Sequence, residues 1–157
     1  HILALRPGKR KMGVAVLEGR DLLYWGVAGS RHSGEELFDT VERRVERLAR
    51  TYQPEMIALE KPSPLRLAAS WSLSGITNRI SETADRSNLP LRVYDQGAVR
   101  DELCGSAWAS RGELADRIVE LYPHLERYRD CASEWEKSYW LAMFAAVAVG
   151  VVCGRDV

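Results

Sequence analysis

Two carboxylates and one arginine stand where apolar runs of the sequence begin or end. Glu60 closes the run MIALE, and Glu136 precedes the long apolar segment near the C-terminus. Carboxylates so placed can hold Mg²⁺, which activates water for hydrolysis. Arg6 closes the first apolar run, just before Pro7 and Gly8, and its guanidinium carries the charge of a metal rather than that of a metal ligand. The pattern indicates metal chemistry and, at Arg6, an obstacle to it.

Short strands and amphipathic helices must bring these side chains together. Apolar runs bounded by Gly or Pro predict five strands, and apolar residues at helical spacing predict five helices. A meander followed by alternating helices and strands predicts an α/β fold with a five-stranded mixed sheet, two of its strands parallel, and helices on both faces. The predicted strands span 2–5, 12–17, 21–29, 56–60 and 91–95, and the predicted helices span 35–52, 65–86, 97–103, 111–122 and 133–152.

Length and composition predict a single domain, residues 1–157, without a strong overall electrostatic field. The chain has 22 basic and 22 acidic residues, so a nucleic-acid partner must be met by a local basic patch. Its three cysteines are widely spaced and form no CxxC pair, which predicts reduced thiols and a cytoplasmic location. The apolar stretch 141–152 is about half as long as a bilayer span. We expect it to be a buried core helix and expect no membrane partner.

Four segments of the chain resemble, in the same order, the Holliday-junction resolvases of the RuvC type. ILALRPGKRKMGVAVL resembles the family's I-L-G-I-D-P-G opening, with Arg6 at the Asp position, and YQPEMIALEKP is similar to F-x-P-D-x-x-A-I-E, with Glu60 as the second acid. CGSAWASRGEL is similar to G-x-G-x-A-x-K-x-x-V, with Arg111 for the Lys. EKSYWLAMFAA is similar to D-A-A-D-A-L-A-x-A, with Glu136 and Tyr139 at the two Asp positions. The resemblance implies a ribonuclease H-like fold.

The resemblance also implies a nuclease in which four carboxylates hold two Mg²⁺ ions against a phosphodiester. This chain keeps Glu60 and Glu136 at those positions and has Arg6 and Tyr139 at the other two. A guanidinium about 4 Å from a divalent ion repels it by about 8 kcal/mol at an effective dielectric constant of about 20. A tyrosine is neutral near pH 7 and is a poor Mg²⁺ ligand. We therefore expect a degenerate site with no bound metal and no cofactor.

Arg6 invites three interpretations. In the first, its guanidinium takes the place of the metal and pairs with Glu60 and Glu136, which relieves repulsion between the two carboxylates. In the second, Arg6 points to solvent and the two acids are ordinary surface residues. In the third, Asp95 or Glu134 joins Glu60 and Glu136 in a rearranged site that binds Mg²⁺ and keeps the nuclease active.

Basic residues cluster on the first hairpin turn and after the motifs that the resemblance places near the site. Such a cluster can follow a phosphate backbone, with an affinity that falls steeply with salt. A solvated hairpin tip explains the turn residues equally well. The candidate nucleic-acid-binding residues are Lys9, Arg10, Lys11, Lys61, Arg66, Arg100 and Arg111.

Other features have simpler interpretations. The segment ERRVERLAR at 42–50 interleaves arginines with Glu42 and Glu46, which predicts a helix laced with its own salt bridges. The apolar face of the 65–86 helix is either a homodimer surface, as the family's two-fold dimers imply, or packs on the sheet. Trp71 and Trp108 either stack on unpaired bases or pack in a core or interface, whereas Trp135 and Trp140 are expected in the core.

Together these observations favour a RuvC-like protein with a degraded metal site that binds branched or structured nucleic acid, in the first place DNA, without efficient cleavage. One alternative is an active Mg²⁺-dependent Holliday-junction endonuclease with a rearranged acidic set. The other is a protein–protein interaction module, which the absence of a net charge permits.

Overall fold

The computed structural model describes residues 1–29, 34–131 and 133–157. Within these residues the structure has the five predicted strands and seven α-helices, two more helices than the sequence predicts, and a 3-10 turn at Pro123–Leu125 precedes α6. The strands are β1 (Ile2–Pro7), β2 (Lys11–Glu18), β3 (Asp21–Gly29), β4 (Met56–Lys61) and β5 (Leu91–Asp95). The helices are α1 (Glu35–Tyr52), α2 (Pro64–Ala69), α3 (Trp71–Arg86), α4 (Gln96–Cys104), α5 (Arg111–Leu121), α6 (Glu126–Arg129) and α7 (Glu134–Asp156).

The strands form one mixed sheet in the order β3-β2-β1-β4-β5. β1, β2 and β3 are joined by short turns and pair antiparallel, while β1, β4 and β5 run parallel to one another. Helices connect the parallel strands, as a parallel pair requires. The predicted sheet, with its antiparallel meander and two parallel strands, is confirmed.

Alternating side chains along each strand build two cores, one on each face of the sheet. Leu3 and Leu5 of β1 pack with α1 and α3 in one core. Ala4 lies between them in sequence and packs on the opposite face with α4, α5 and α7. The predicted placement of helices on both faces is therefore confirmed.

Helix α7 lies closer to the sheet than an ordinary side chain would permit. A Cβ added to Gly13 of β2 would lie 1.8 Å from the carbonyl oxygen of Ala142. The helix is long and apolar enough to span a membrane by length and composition alone, but 61% of its apolar window is buried within the fold. The prediction of a core helix is thus correct, although the helix continues to Asp156 rather than ending near residue 152.

The predicted helix over 65–86 is wrong in one respect, because the structure divides it into α2 and α3. Ser70 between them has an extended backbone (φ −136°, ψ 109°), and its hydroxyl accepts a hydrogen bond from the Leu73 amide at 3.2 Å. A serine that caps a helix in this way begins a new one. The apolar periodicity runs through both helices and conceals the break.

Candidate nucleic-acid site

The first carboxylate of the site and Arg6 are brought together by the strand register. Leu5 of β1 lies opposite Leu59 of β4 in a parallel pair, and both side chains belong to the core on the α1 face. The next residue on each strand, Arg6 and Glu60, therefore points to the α7 face. Arg6 Nε lies 3.6 Å from Glu60 Oε1, and the two side chains are 14% and 6% exposed. Arg6 thus forms the expected ion pair with Glu60 and does not point to solvent.

Further cations surround this buried pair. Arg6 and Glu60 line a small cavity of about 50 Å³ together with Lys11, Arg100 and Arg111. Lys11 Nζ donates a hydrogen bond to the Ser138 carbonyl oxygen at 3.1 Å, and Arg100 Nη1 donates one to the Ala109 carbonyl oxygen at 2.8 Å. Among the lining residues, four cations therefore face one carboxylate.

Burial and like charge shift the ionisation of this cluster. Burial raises the pKa of the Glu60 carboxyl above its ordinary value, and the nearby guanidinium groups of Arg6, Arg100 and Arg66 oppose that rise. Burial also lowers the pKa of Arg6, against the attraction of Glu60. The pKa of Lys11 is lowered by its burial and by the positive charges of Arg6 and Arg111. The cluster therefore has an excess of positive charge that an anion would relieve.

Glu136 does not complete the expected pairing. Its carboxylate oxygen Oε1 accepts a hydrogen bond from the Ser133 hydroxyl at 3.3 Å, and the Ser133 oxygen accepts one from the Glu136 amide at 3.1 Å. Ser133 thus caps the start of α7, and the Glu136 carboxylate bonds to the capping hydroxyl rather than to Arg6. The prediction that Arg6 bridges Glu60 and Glu136 is therefore correct for Glu60 and wrong for Glu136.

The acids proposed for a rearranged metal site do not line the cavity either. Asp95 is exposed at the end of β5, and Glu134 pairs at 3.6 Å with Lys137 on the surface of α7. Within residues 1–29, 34–131 and 133–157, no three His, Cys, Asp or Glu side chains come close enough together to hold a metal ion. One carboxylate among four cations is not a donor set that fits Mg²⁺.

The resemblance places Tyr139 at the cavity, and the structure places its neighbour Ser138 there instead. Ser138, Leu141, Ala142 and Ala145 line the cavity at helical spacing. One residue turns a helix by about 100°, so Tyr139 faces away from the Glu60 cavity and lies against Lys11, whose Nζ is 5.6 Å from its ring centre. The sequence motif conceals this offset, since only the packing of α7 on Gly13 selects the face.

The other predicted basic residues divide into two groups. Arg66 of α2 lies near enough to the cavity to influence the pKa of both Arg6 and Glu60. Lys9, Arg10 and Lys61 are exposed and do not line the cavity. Of the seven predicted basic residues, the structure therefore gathers Lys11, Arg66, Arg100 and Arg111 around Glu60.

The arginine-rich segment of α1 is not laced with salt bridges of its own. Glu42 pairs with Arg79 and Arg86 of α3 instead. Helix α1 packs on α3, and this packing places the two arginines of α3 within reach of Glu42. The predicted pairing within the helix is wrong for this residue.

The tryptophans also depart from expectation. Trp71, Trp108 and Trp135 are 68%, 94% and 73% exposed, so the core interpretation is wrong for Trp135 and is excluded for Trp108. Trp71 packs its ring on Phe38 at 5.2 Å between ring centres. Trp140 packs against the core on the α7 face, as predicted.

No protein-family model matches the sequence, and no curated protein matches it. Among solved structures, RuvC of Thermus thermophilus matches with a TM-score of 0.72 at 17% identity, covering 98% of this chain and 95% of that chain. T. thermophilus RuvC in complex with a Holliday junction substrate matches with a TM-score of 0.68 at 16% identity, covering 98% and 96%. The yeast mitochondrial Holliday junction resolvase Ydc2 matches with a TM-score of 0.61 at 12% identity, covering 98% and 77%. These likenesses establish a ribonuclease H-like fold of the RuvC type.

Proposed function

We propose that this protein binds branched or structured nucleic acid at the basic cavity beside Glu60 and does not cleave it efficiently. DNA is the first ligand to test. The observation that carries the proposal is the excess of cations around a single buried carboxylate. The positive charge at the mouth of this cavity suits an anionic backbone and opposes a divalent cation. The solved structure of T. thermophilus RuvC with a Holliday junction substrate supports the choice of a branched ligand.

The proposed ligand contacts come from the mouth of the cavity. Arg111 is exposed at the start of α5, and the Nε of Arg100 is buried with no hydrogen-bond partner among the described residues. Phosphate oxygens are strong acceptors for guanidinium donors. We propose that both arginines bind backbone phosphates, and that the exposed ring of Trp108 stacks on an unpaired base near a branch point.

Catalysis would require metal ligands that the cavity does not offer. Arg6 occupies the space beside Glu60, and its charge opposes a divalent ion there. We therefore propose a site that works without metal and without a cofactor. We also propose a cytoplasmic protein, and a homodimer in which two such cavities contact one two-fold ligand.

The test is binding and cleavage of a labelled four-way DNA junction by the parent and two paired-charge variants. The cavity variant is Arg100→Gln with Arg111→Gln. The matched control, Arg20→Gln with Arg155→Gln, removes two exposed charges at the opposite end of the sheet. We expect the parent to shift the junction in EDTA, the cavity variant to bind at least about tenfold more weakly, and the control to bind like the parent.

Two other results would overturn the proposal. Cutting of the junction by the parent in Mg²⁺ or Mn²⁺ would favour the rearranged nuclease and would mean that the ligands assemble on binding. Failure of the parent to bind the junction at low salt would favour a protein–protein module. Calorimetric titration of the parent with each metal separates these cases further, since a nuclease must take up metal.

A further inference from the structure

A groove lined by arginines lies beside the cavity and shares Lys11 with it. It has a volume of about 940 Å³ and is formed by β3, the exposed face of α1 and the first turns of α7. Of the thirteen described residues that line it, six are basic and only Glu46 is acidic. The basic residues are Arg10, Lys11, Arg43, Arg44, Arg47 and Arg50.

The arginines on α1 are available to a ligand. Arg43, Arg47 and Arg50 are exposed, and none of them has an ion-pair partner in the described parts of the chain. Arg79 on α3 provides the contrast, because Glu35, Asp39 and Glu42 of α1 all pair with it. Helix α1 thus pairs three of its acids with α3 and leaves its arginines to the groove.

The spacing of these arginines suits an extended backbone. Positions 43, 47 and 50 lie on one face of the helix and span about 10 Å along its axis. Three cations along this length present a continuous row of charge to a phosphate backbone. Arg44 lies deeper, where its Nη2 donates to the Tyr24 hydroxyl at 2.6 Å and its Nε is buried without a partner among the described residues.

An aromatic platform forms the opposite rim of the groove. The rings of Trp135 and Tyr139 stack with centres 5.6 Å apart and planes inclined by 15°. Trp135 is 73% exposed, so most of its indole is open to solvent. An exposed indole beside a row of cations is the arrangement on which unpaired bases stack, whereas an acidic peptide would need only the cations.

We propose that this arginine groove binds a single strand of nucleic acid, with phosphates on Arg43, Arg47 and Arg50 and a base on Trp135. The inference deepens the proposed function and rests on it. Lys11 lines both the groove and the Glu60 cavity, so a strand lying in the groove continues directly toward that cavity. The groove therefore receives an unpaired strand that leaves the branch point held at the cavity.

The experiment measures binding of a labelled oligothymidylate of about ten nucleotides, and of the four-way junction, by fluorescence anisotropy over a range of salt. The groove variant is Arg43→Gln with Arg47→Gln, and the control is again Arg20→Gln with Arg155→Gln. The ring is tested with Trp135→Ala and with Trp135→Phe, which keeps an aromatic surface. All the substituted side chains are exposed, and thermal unfolding checks that each variant folds.

We expect the groove variant to lower the slope of log affinity against log salt by about 1.4 for the single strand, and the control to leave it unchanged. Trp135→Ala should weaken single-strand binding about tenfold, and Trp135→Phe should restore most of that loss. A groove variant that binds the oligonucleotide like the parent would overturn the inference. If the parent still binds the junction, the proposed function stands in that case. Equal affinity of Trp135→Ala and the parent would overturn the stacking. A parent that binds neither probe overturns both proposals.

Discussion

Removing one partner of the Arg6–Glu60 pair should reveal the cost of burying the other charge without its ion-pair partner. The two charged groups are 3.6 Å apart, and their side chains are 14% and 6% exposed. Unit charges at that distance attract by about 5 kcal/mol at an effective dielectric constant of about 20. Part of this attraction offsets the desolvation of both groups. We therefore expect Arg6→Met alone to lower the free energy of unfolding by about 3 kcal/mol. Glu60→Gln should lower it less, because burial already disfavours the charged form of Glu60 and raises the pKa of its carboxyl.

The double variant, Arg6→Met with Glu60→Gln, separates the energy of the ion pair from the effects of the two single substitutions. With neither charge present, the free energy of unfolding should return to within about 1 kcal/mol of the parent value. Lys137 and Glu134 provide a matched control pair, because their charged atoms are also 3.6 Å apart while the side chains are 45% and 92% exposed. The same cycle on that pair should give a coupling energy below about 0.5 kcal/mol. The difference between the two coupling energies then measures the effect of burial on an ion pair at this distance.

Urea unfolding followed by tryptophan fluorescence measures the free energy of unfolding of each variant, and thermal unfolding measures its melting temperature. A loss of about 3 kcal/mol should lower the melting temperature by about 6 to 12 °C in a domain of this size. Additive effects of the two single substitutions would contradict the reasoning. So would a buried pair whose coupling is no larger than that of the exposed pair.

The pH dependence of the same variants has a defined sign. Burial raises the pKa of the Glu60 carboxyl in the folded state. The stability that this group contributes is therefore fully present below its ordinary pKa and is lost as the pH rises through the raised value. Arg6 opposes the rise, so Arg6→Met should enlarge the loss, and Glu60→Gln should abolish it. Unfolding free energies measured from about pH 4 to about pH 8 check this, and a parallel dependence in all three proteins would count against it.

Two further substitutions test the packing that positions the site. Gly13→Ala should lower the free energy of unfolding by about 3 kcal/mol, because its Cβ would meet the Ala142 carbonyl oxygen at 1.8 Å. The control is Gly112→Ala in α5, where the new Cβ meets nothing closer than 3.8 Å. This control should leave the free energy of unfolding unchanged or slightly higher. Ser70→Ala should cost about 1 kcal/mol in urea unfolding through loss of the α3 cap, and an unchanged midpoint would show that the hydroxyl does not hold the break between α2 and α3.

The sheet could be predicted from the sequence because its signals are local. The run ILALR ends at Pro7 and Gly8, and because successive residues of a strand face opposite sides, Leu5 points to one core and Arg6 to the other face. The same strand geometry in MIALE directs Glu60 to meet Arg6. The resemblance leads us to expect that Arg6 and Glu60 meet, and the parallel register of β1 and β4 is the physical reason that they do.

The contribution of α7 could not be predicted in the same way. Whether Ser138 or Tyr139 faces the cavity depends on which side of the helix meets Gly13, and that contact joins residues far apart in the sequence. The partner of Glu42 is likewise decided by α3 rather than by its neighbours on α1. Local spacing predicts that a helix forms, whereas the packing of the whole domain decides the direction in which each face points.

The close contact between Gly13 and Ala142 also fixes how the two recesses lie relative to each other. Ser138 and Tyr139 are consecutive residues, yet one lines the cavity and the other lines the groove, and Lys11 lines both, so the two recesses adjoin each other. Because the helix backbone rests directly on β2, α7 has no room to roll and change the spacing between them. On the proposed function, a ligand that engages both recesses would be selected by the distance between its branch point and its first free base, and not by charge alone.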